Sequence, residues 1–273
     1  MPELPEVETI KRDIKTNLIG HKIESVWTDW PKQLKPSQEE FEKAVIGKKF
    51  KSVSRRAKLL IFRLDDGTRL LMHLKLTGRI LYRSQNDSED KFTHIILKLD
   101  RGKELRFADM RKFGWMKVLR DEGELDKLLS EFGIEPFTQD FTVENFKKIL
   151  TNKKAPIKPL MMDQAVIAGV GNIYADESLW CAKIHPLRAA NTLSDQETKE
   201  LFECIQEALK SGIKDRGTSV DTYVDFFGLP GQHEQNLKVF RKDGEPCPRC
   251  NTLIRKIRVG GRGTHFCPIC QKL

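Results

Sequence analysis

No apolar run in this chain approaches the roughly 20 residues that a membrane-spanning helix needs. The opening stretch, MPELPEVET, is acidic and lacks the basic-then-apolar order of a secretion signal. These two absences predict a cytoplasmic protein with no membrane partner. There is no internal repeat and no low-complexity tract. No G-x-G-x-x-G follows a strand-like run, so a dinucleotide site has no support. Cysteine is scarce, six among 273 residues, and four of the six fall between positions 247 and 270.

What is present is a chain 39% hydrophobic and 32% charged, enough apolar surface for a packed core. Its length suits two domains, or two plus an appendage. The net charge is +9. That bias says nothing about fold but favours a polyanionic partner. Residues 236–273 alone carry +7 of it, with nine Lys/Arg against Asp243 and Glu245.

The pattern along the chain changes twice. Residues 2–20 read as a helix, with Pro5 in the first turn, Ile10, Ile14 and Leu18 at helical spacing, and Gly20 as a stop. From Lys22 to about Leu119 short strand-like runs alternate with turn signals such as Asp65-Asp66-Gly67. Many strands at this spacing predict a sandwich or barrel. From about Glu124 to Arg216 the periodicity is helical, and Ser194 with Glu197 forms a capping box. Residues 216–236 are Gly-rich and weakly periodic, and read as a long loop that orders on binding. The expected fold is α+β, with segments 1–122, 123–235 and 236–273.

The strongest compositional signal is Cys247-Pro-Arg-Cys250, sixteen residues, then Cys267-Pro-Ile-Cys270. Two C-x2-C turns aim four thiolates at one ion, and a four-cysteine tetrahedral site suits Zn2+. Four protein ligands close the coordination sphere, so the one zinc per chain is expected to be structural. Two disulfides are the weaker alternative. Cys181 and Cys204 lie in helical patterns and read as buried apolar fillers. Between the cysteine pairs, RKIRVGGRGTHF reads as a hairpin around Gly-Gly, with Arg262 placed to fork onto phosphate. The Gly-rich turn of AGVGNIYADE, leading into a helix, presents backbone N–H groups and the Asn172 amide to an anion.

MPELPEVET, RRAKLL at 55–60, the HL…G run at 73–78, DMRKFG at 109–114, IKP at 157–159, GVGNIYADE at 169–177 and GRGTHFCPIC at 261–270 follow one another along the whole chain. In that order they resemble the formamidopyrimidine-DNA glycosylase family, bacterial enzymes that remove 8-oxoguanine and formamidopyrimidines. The sister family, endonuclease VIII, usually opens Pro-Glu-Gly-Pro, and Leu4 here favours the oxidised-purine branch.

The resemblance implies an N-terminal catalytic β-sandwich domain, a helix-two-turns-helix domain with a lesion-recognition loop, and a β-hairpin zinc finger. It implies a monomeric base-excision-repair glycosylase and AP lyase acting on damaged double-stranded DNA. Pro2, terminal once Met1 is removed, would be the nucleophile and Glu3 the general acid, with Glu6 a second acidic group near the lesion. Lys58, His73, Asn172 and Arg262 would grip phosphates around the extruded nucleotide, and Lys158 would lie close to the lesion. Arg111 and Phe113 match two of the family's three void-filling residues. The third, a Met in the family, is Leu76 here. Thr218 and Tyr223 are the expected lesion contacts of the 216–236 loop, where Arg216 replaces a usual Gly. A non-catalytic DNA-binding protein is the alternative from another class.

Overall fold

The computed structural model describes residues 1–273, which form two compact units: 1–129 with 213–234, and 130–212 with 235–273.

The first unit opens with α1 (Leu4–Asn17), whose Val7, Ile10 and Ile14 are fully buried, as is Leu18 just after it. There follow β1 (Ile23–Thr28), β2 (Leu34–Lys35), α2 (Gln38–Val45), β3 (Phe50–Arg56), β4 (Leu59–Leu64), β5 (Arg69–His73), β6 (Gly78–Ser84), β7 (Thr93–Leu99), β8 (Lys103–Asp109), β9 (Trp115–Leu119) and α3 (Glu122–Ser130). One sheet has the order β1-β7-β8-β6, the other β2-β9-β5-β4-β3. Only the β2–β9 pair is parallel. Phe62, Leu70 and Met72 from the five-stranded sheet share one core with Ile80, Leu97 and Phe107 from the four-stranded one. This is the expected sandwich, with period-two side chains turned inward.

Helix α2 interrupts the region read as strands only. Ser37 caps it, its hydroxyl accepting from Glu40 N at 3.2 Å, and Phe41, Ala44 and Val45 form its buried face. The loop expected to order on binding is already folded into this unit. Phe226 is fully buried and stacks on Tyr82 with ring centroids 5.4 Å apart. The Asp225 carboxylate accepts from Phe227 N and Leu229 N, which closes the turn that follows.

The second unit holds α4 (Val143–Thr151), α5 (Ile157–Met162), α6 (Asn172–Cys181), α7 (Asp195–Lys214), β10 (Arg255–Val259) and β11 (Arg262–Phe266). Ser194 and Glu197 cap α7 reciprocally, at 2.8 and 3.2 Å. Gly260 and Gly261, with φ of 54° and 76°, make the two-residue turn between β10 and β11. Positive φ at both positions matches the twist of the flanking strands and favours glycine.

Cys181 and Cys204 are not separate apolar fillers but are joined by a disulfide. They lie 23 residues apart, at the last residue of α6 and inside α7. Only the packing of those two helices brings the sulfurs together.

Candidate active site and metal centre

The N-terminus enters the first unit directly. Pro2 is buried, one residue before Glu3 and four before Glu6, which are 2% and 1% exposed. Glu6 uses both carboxylate oxygens: Glu3 N donates to one at 2.8 Å and Thr218 N to the other at 2.9 Å. The second bond ties α1 to the 216–236 loop. A Cβ on Gly217 would lie 2.7 Å from the Tyr223 ring and 2.9 Å from Glu6, and φ there is +90°. Glycine is therefore required for the loop to approach α1. Tyr223 donates its hydroxyl to Arg216 O at 3.0 Å, and burial with the nearby Glu6 charge pushes its pKa well up. Arg216 bridges Asp13 and Asp225 at 2.6 Å each. Pro2, Glu3, Glu6, Thr218 and Tyr223 are thus gathered at one place, although Tyr223 already has a partner for its hydroxyl. A cavity of about 380 Å³ opens beside Tyr223, lined also by Thr77, Arg79, Phe92 and Met110.

Strand register brings Lys58 to His73, because Leu59 pairs with His73 across β4 and β5. Burial, then Lys75 and Lys58, hold the His73 pKa at about 3, so its ring is neutral near pH 7. Lys75 N donates to Nδ1 at 2.9 Å, which leaves the proton on Nε2.

Two loops carry Leu76, Arg111 and Phe113, the three residues expected to fill the void. Leu76 sits between β5 and β6; Arg111 and Phe113 sit between β8 and β9. Phe113 is 53% exposed, with the Arg111 guanidinium 4.8 Å from its ring centre. Leu76 and Phe113 line one cavity of about 530 Å³ together with Trp30, Lys32 and Lys112. Sequence reasoning missed what holds these loops. Asp109, fully buried, accepts from the Thr77 hydroxyl, from Gly114 N at 2.7 Å, from Arg111 N at 3.2 Å and from Gln33 Nε2 at 3.4 Å. Its signal was the Asp two residues before Arg111, the pattern of an Asx turn. A Cβ on Gly114 would lie 2.6 Å from Phe107, so the turn closes only on glycine.

In the second unit, α6 organises the basic hairpin. Asn172 Nδ2 donates to Gly263 O at 3.2 Å, and Arg262 is exposed beside it in sequence. Lys158, expected close to the lesion, is fully buried. Its Nζ lies 2.7 Å from Asp176 Oδ1 and donates to Thr264 Oγ1 at 2.7 Å and Gly263 O at 3.3 Å. An amine so committed braces the hairpin from inside. Asp176 also accepts from His265 N at 2.9 Å. Glu177 accepts from the backbone N–H groups of Lys238, Val239 and Phe240 at 2.8–2.9 Å, while burial raises its pKa. An acidic pair inside an otherwise apolar, buried helix was the available signal for these internal anchors.

The four cysteines converge. Their sulfurs lie within 4.8 Å of one another, with Cys250–Cys267 at 3.4 Å and Cys247–Cys270 at 4.0 Å. Zn–S bonds of about 2.3 Å in a tetrahedron require sulfurs roughly 3.8 Å apart, so the set fits zinc. Trp180 donates its indole N–H to Cys247 Sγ at 3.4 Å. With zinc bound, the ion would tie the two knuckles together, and the thiolates leave no open position for chemistry.

Three family models match in chain order: the formamidopyrimidine-DNA glycosylase N-terminal domain over residues 1–116, the H2TH domain of the same enzymes over 132–224, and the zinc finger found in FPG and IleRS over 244–273. Formamidopyrimidine-DNA glycosylases from Herpetosiphon aurantiacus and Pelotomaculum thermopropionicum are each 44% identical, across 99% and 100% of this chain and 100% of theirs. The fold is similar to that of Lactococcus lactis Fpg solved with abasic-site DNA, at a TM-score of 0.94 and 38% identity over 99% of this chain and 100% of that one. It is also similar, at 0.93 and 38% over 99% and 100%, to the same enzyme with Fapy-dG DNA. Motif order, zinc-ligand geometry and full-length similarity converge, and the chain belongs to the formamidopyrimidine-DNA glycosylase family.

Proposed function

We propose that this protein is a bifunctional DNA glycosylase and AP lyase of base excision repair that excises 8-oxoguanine and formamidopyrimidines from duplex DNA. The observation that supports this most directly is the placing of Pro2 beside Glu3 and the loop-bound Glu6. A free α-amine has a pKa of roughly 7.7–8, so an appreciable fraction is unprotonated near neutrality. The Pro2 nitrogen attacks C1′ of the damaged nucleotide, and the C1′–base bond breaks as the base leaves with a proton. Glu3 protonates the ribose ring oxygen, which opens the sugar and leaves an iminium. A secondary amine cannot lose the iminium charge, so the C2′ proton becomes acidic and the 3′-phosphate leaves by β-elimination. δ-Elimination then releases the 5′-phosphate.

The base must leave the stack to reach Pro2. Leu76, Arg111 and Phe113 fill the space it leaves, while Lys58, neutral His73, Asn172 and Arg262 hold the backbone. Thr218 and Tyr223 belong to the loop over the flipped base, Thr218 by its backbone bond to Glu6 and Tyr223 by its ring. Lys158 acts on the site through the hairpin it braces. The protein works as a monomer in the bacterial cytoplasm, on the nucleoid. The catalytic segment is 1–122, the helical segment with the recognition loop 123–235, and the finger 236–273.

Borohydride trapping tests the reading. Mature protein beginning at Pro2 should form a reducible covalent adduct with duplex DNA bearing 8-oxoguanine, and an uncleaved N-terminal extension should abolish it. Undiminished trapping with the extension in place would remove Pro2 as nucleophile. Preferential trapping on oxidised pyrimidines would move the protein to the sister specificity.

A further inference from the structure

The disulfide lies outside the reaction just described, yet it joins the element that carries the zinc finger. Helix α6 touches that finger along its length. At its start Asn172 donates to the hairpin, and in its middle Asp176 and Glu177 accept from residues 265 and 238–240. At its end, Arg249, inside the first C-x2-C turn, donates to Trp180 O at 3.0 Å and Cys181 O at 3.2 Å. The same guanidinium sits 4.2 Å from the Trp180 ring centre, and Trp180 N–H reaches the ligand Cys247. The last turn of α6 is therefore the seat of one zinc knuckle. The final turn of a helix lacks intrahelical partners for its carbonyls and opens readily. A covalent bond from its last residue, Cys181, to the buried Cys204 in α7 opposes that opening.

We propose that Cys181–Cys204 is a reversible thiol–disulfide modification site whose state sets how firmly the knuckle holds zinc. Cys181 is half-buried and is the sulfur that a small thiol reaches; Cys204 is 8% exposed. A thiolate attacks Cys181 Sγ, the S–S bond breaks, and Cys204 leaves as thiolate and takes a proton. A second thiol then attacks the mixed disulfide, giving free Cys181 and a small-molecule disulfide. Two reductant thiols are oxidised for one protein disulfide reduced. A cytoplasmic thiol pool favours the reduced form, and oxidising conditions favour the bond. Under the proposed function, the finger is then held most firmly when oxidised bases accumulate. The site itself rests only on the helix and the finger.

The test uses full-length, zinc-loaded protein, oxidised or reduced, freed of reagent and assigned by intact mass after alkylation. The readout is the rate of zinc transfer to a colorimetric chelator. Reduced protein should release zinc about threefold faster or more, consistent with freer local opening. Cys181→Ser/Cys204→Ser should match the reduced rate and ignore reductant. Arg249→Ala, which cuts the link between seat and knuckle, should release quickly in both states. Equal rates for mass-verified oxidised and reduced wild type would overturn the proposal, as would alkylation of Cys204 after mild oxidation of the native protein. Neither result depends on catalysis, so a failure here leaves the proposed reaction standing, and a failed trapping experiment leaves this site standing.

Discussion

The Thr77 hydroxyl donates to the buried carboxylate of Asp109, and through that bond the loop carrying Leu76 is joined to the loop carrying Arg111 and Phe113. Arg111 N donates to both partners, at 3.1 Å to Thr77 and 3.2 Å to Asp109. All four donors to this carboxylate are neutral, so the pocket is built for an acceptor with no proton of its own. Asn at this position would turn an N–H toward one of those donors. Asp109→Asn should slow excision from duplex DNA by about tenfold or more, since hydrogen bonds to a charged group contribute roughly 1.5–3 kcal/mol. Phe113→Ala should act in the same direction. Both should spare cleavage at a pre-formed abasic site, where little must be extruded. Single-turnover rates on the two substrates decide it, and equal slowing of both reactions would drop the wedge reading.

Lys58 and Arg262 are expected to meet phosphates. Replacing either with Ala should weaken binding to all duplex sequences alike. It should also lower the slope of log affinity against log salt by roughly 0.9 for each lost phosphate contact. Titrations across a salt series check this, and unchanged slopes in both variants would remove the assignment.

His73 carries a pH prediction. Its folded pKa of about 3 lies below the roughly 6.5 of an unfolded chain. The unfolded state therefore binds the extra proton between those values. The stability that follows from the neutral ring is complete above pH 6.5 and is lost as pH falls toward 3. Denaturant midpoints should drop over that window more for wild type than for His73→Gln. The His73 ring signals of the free protein should not titrate between pH 5 and 8.

The Lys158–Asp176 pair is fully buried. Lys158→Met alone leaves a buried carboxylate without its cation and should cost about 3–5 kcal/mol of stability, whereas replacing both residues with apolar ones should cost much less. Chemical denaturation of single and double variants measures this. A single variant within error of wild type would mean that the amine is not held as described.

What the sequence determined by itself was whatever short spacing encodes. Two C-x2-C turns specify a four-thiolate site because each turn closes locally. Ser194 and Glu197 mark a helix start because capping spans three residues. Gly260-Gly261 marks a hairpin because the turn needs positive φ. The strand alternation of residues 22–119 carried the sandwich, since one face of each strand must be apolar. Ser37 and Glu40 encode α2 in the same way, within a stretch otherwise patterned as strands. Tertiary structure decided what joins distant segments. Cys181 meets Cys204 only when α6 packs on α7. Thr77 and Asp109 are 32 residues apart, and β6 pairing with β8 sets them facing each other. Lys158 turned inward because Asp176 and Thr264 satisfy its charge there, and no local pattern announces such a partner. The 216–236 loop looked unstructured because its order comes from Phe226 in the core and Thr218 on Glu6, contacts more than 140 and 200 residues away in sequence.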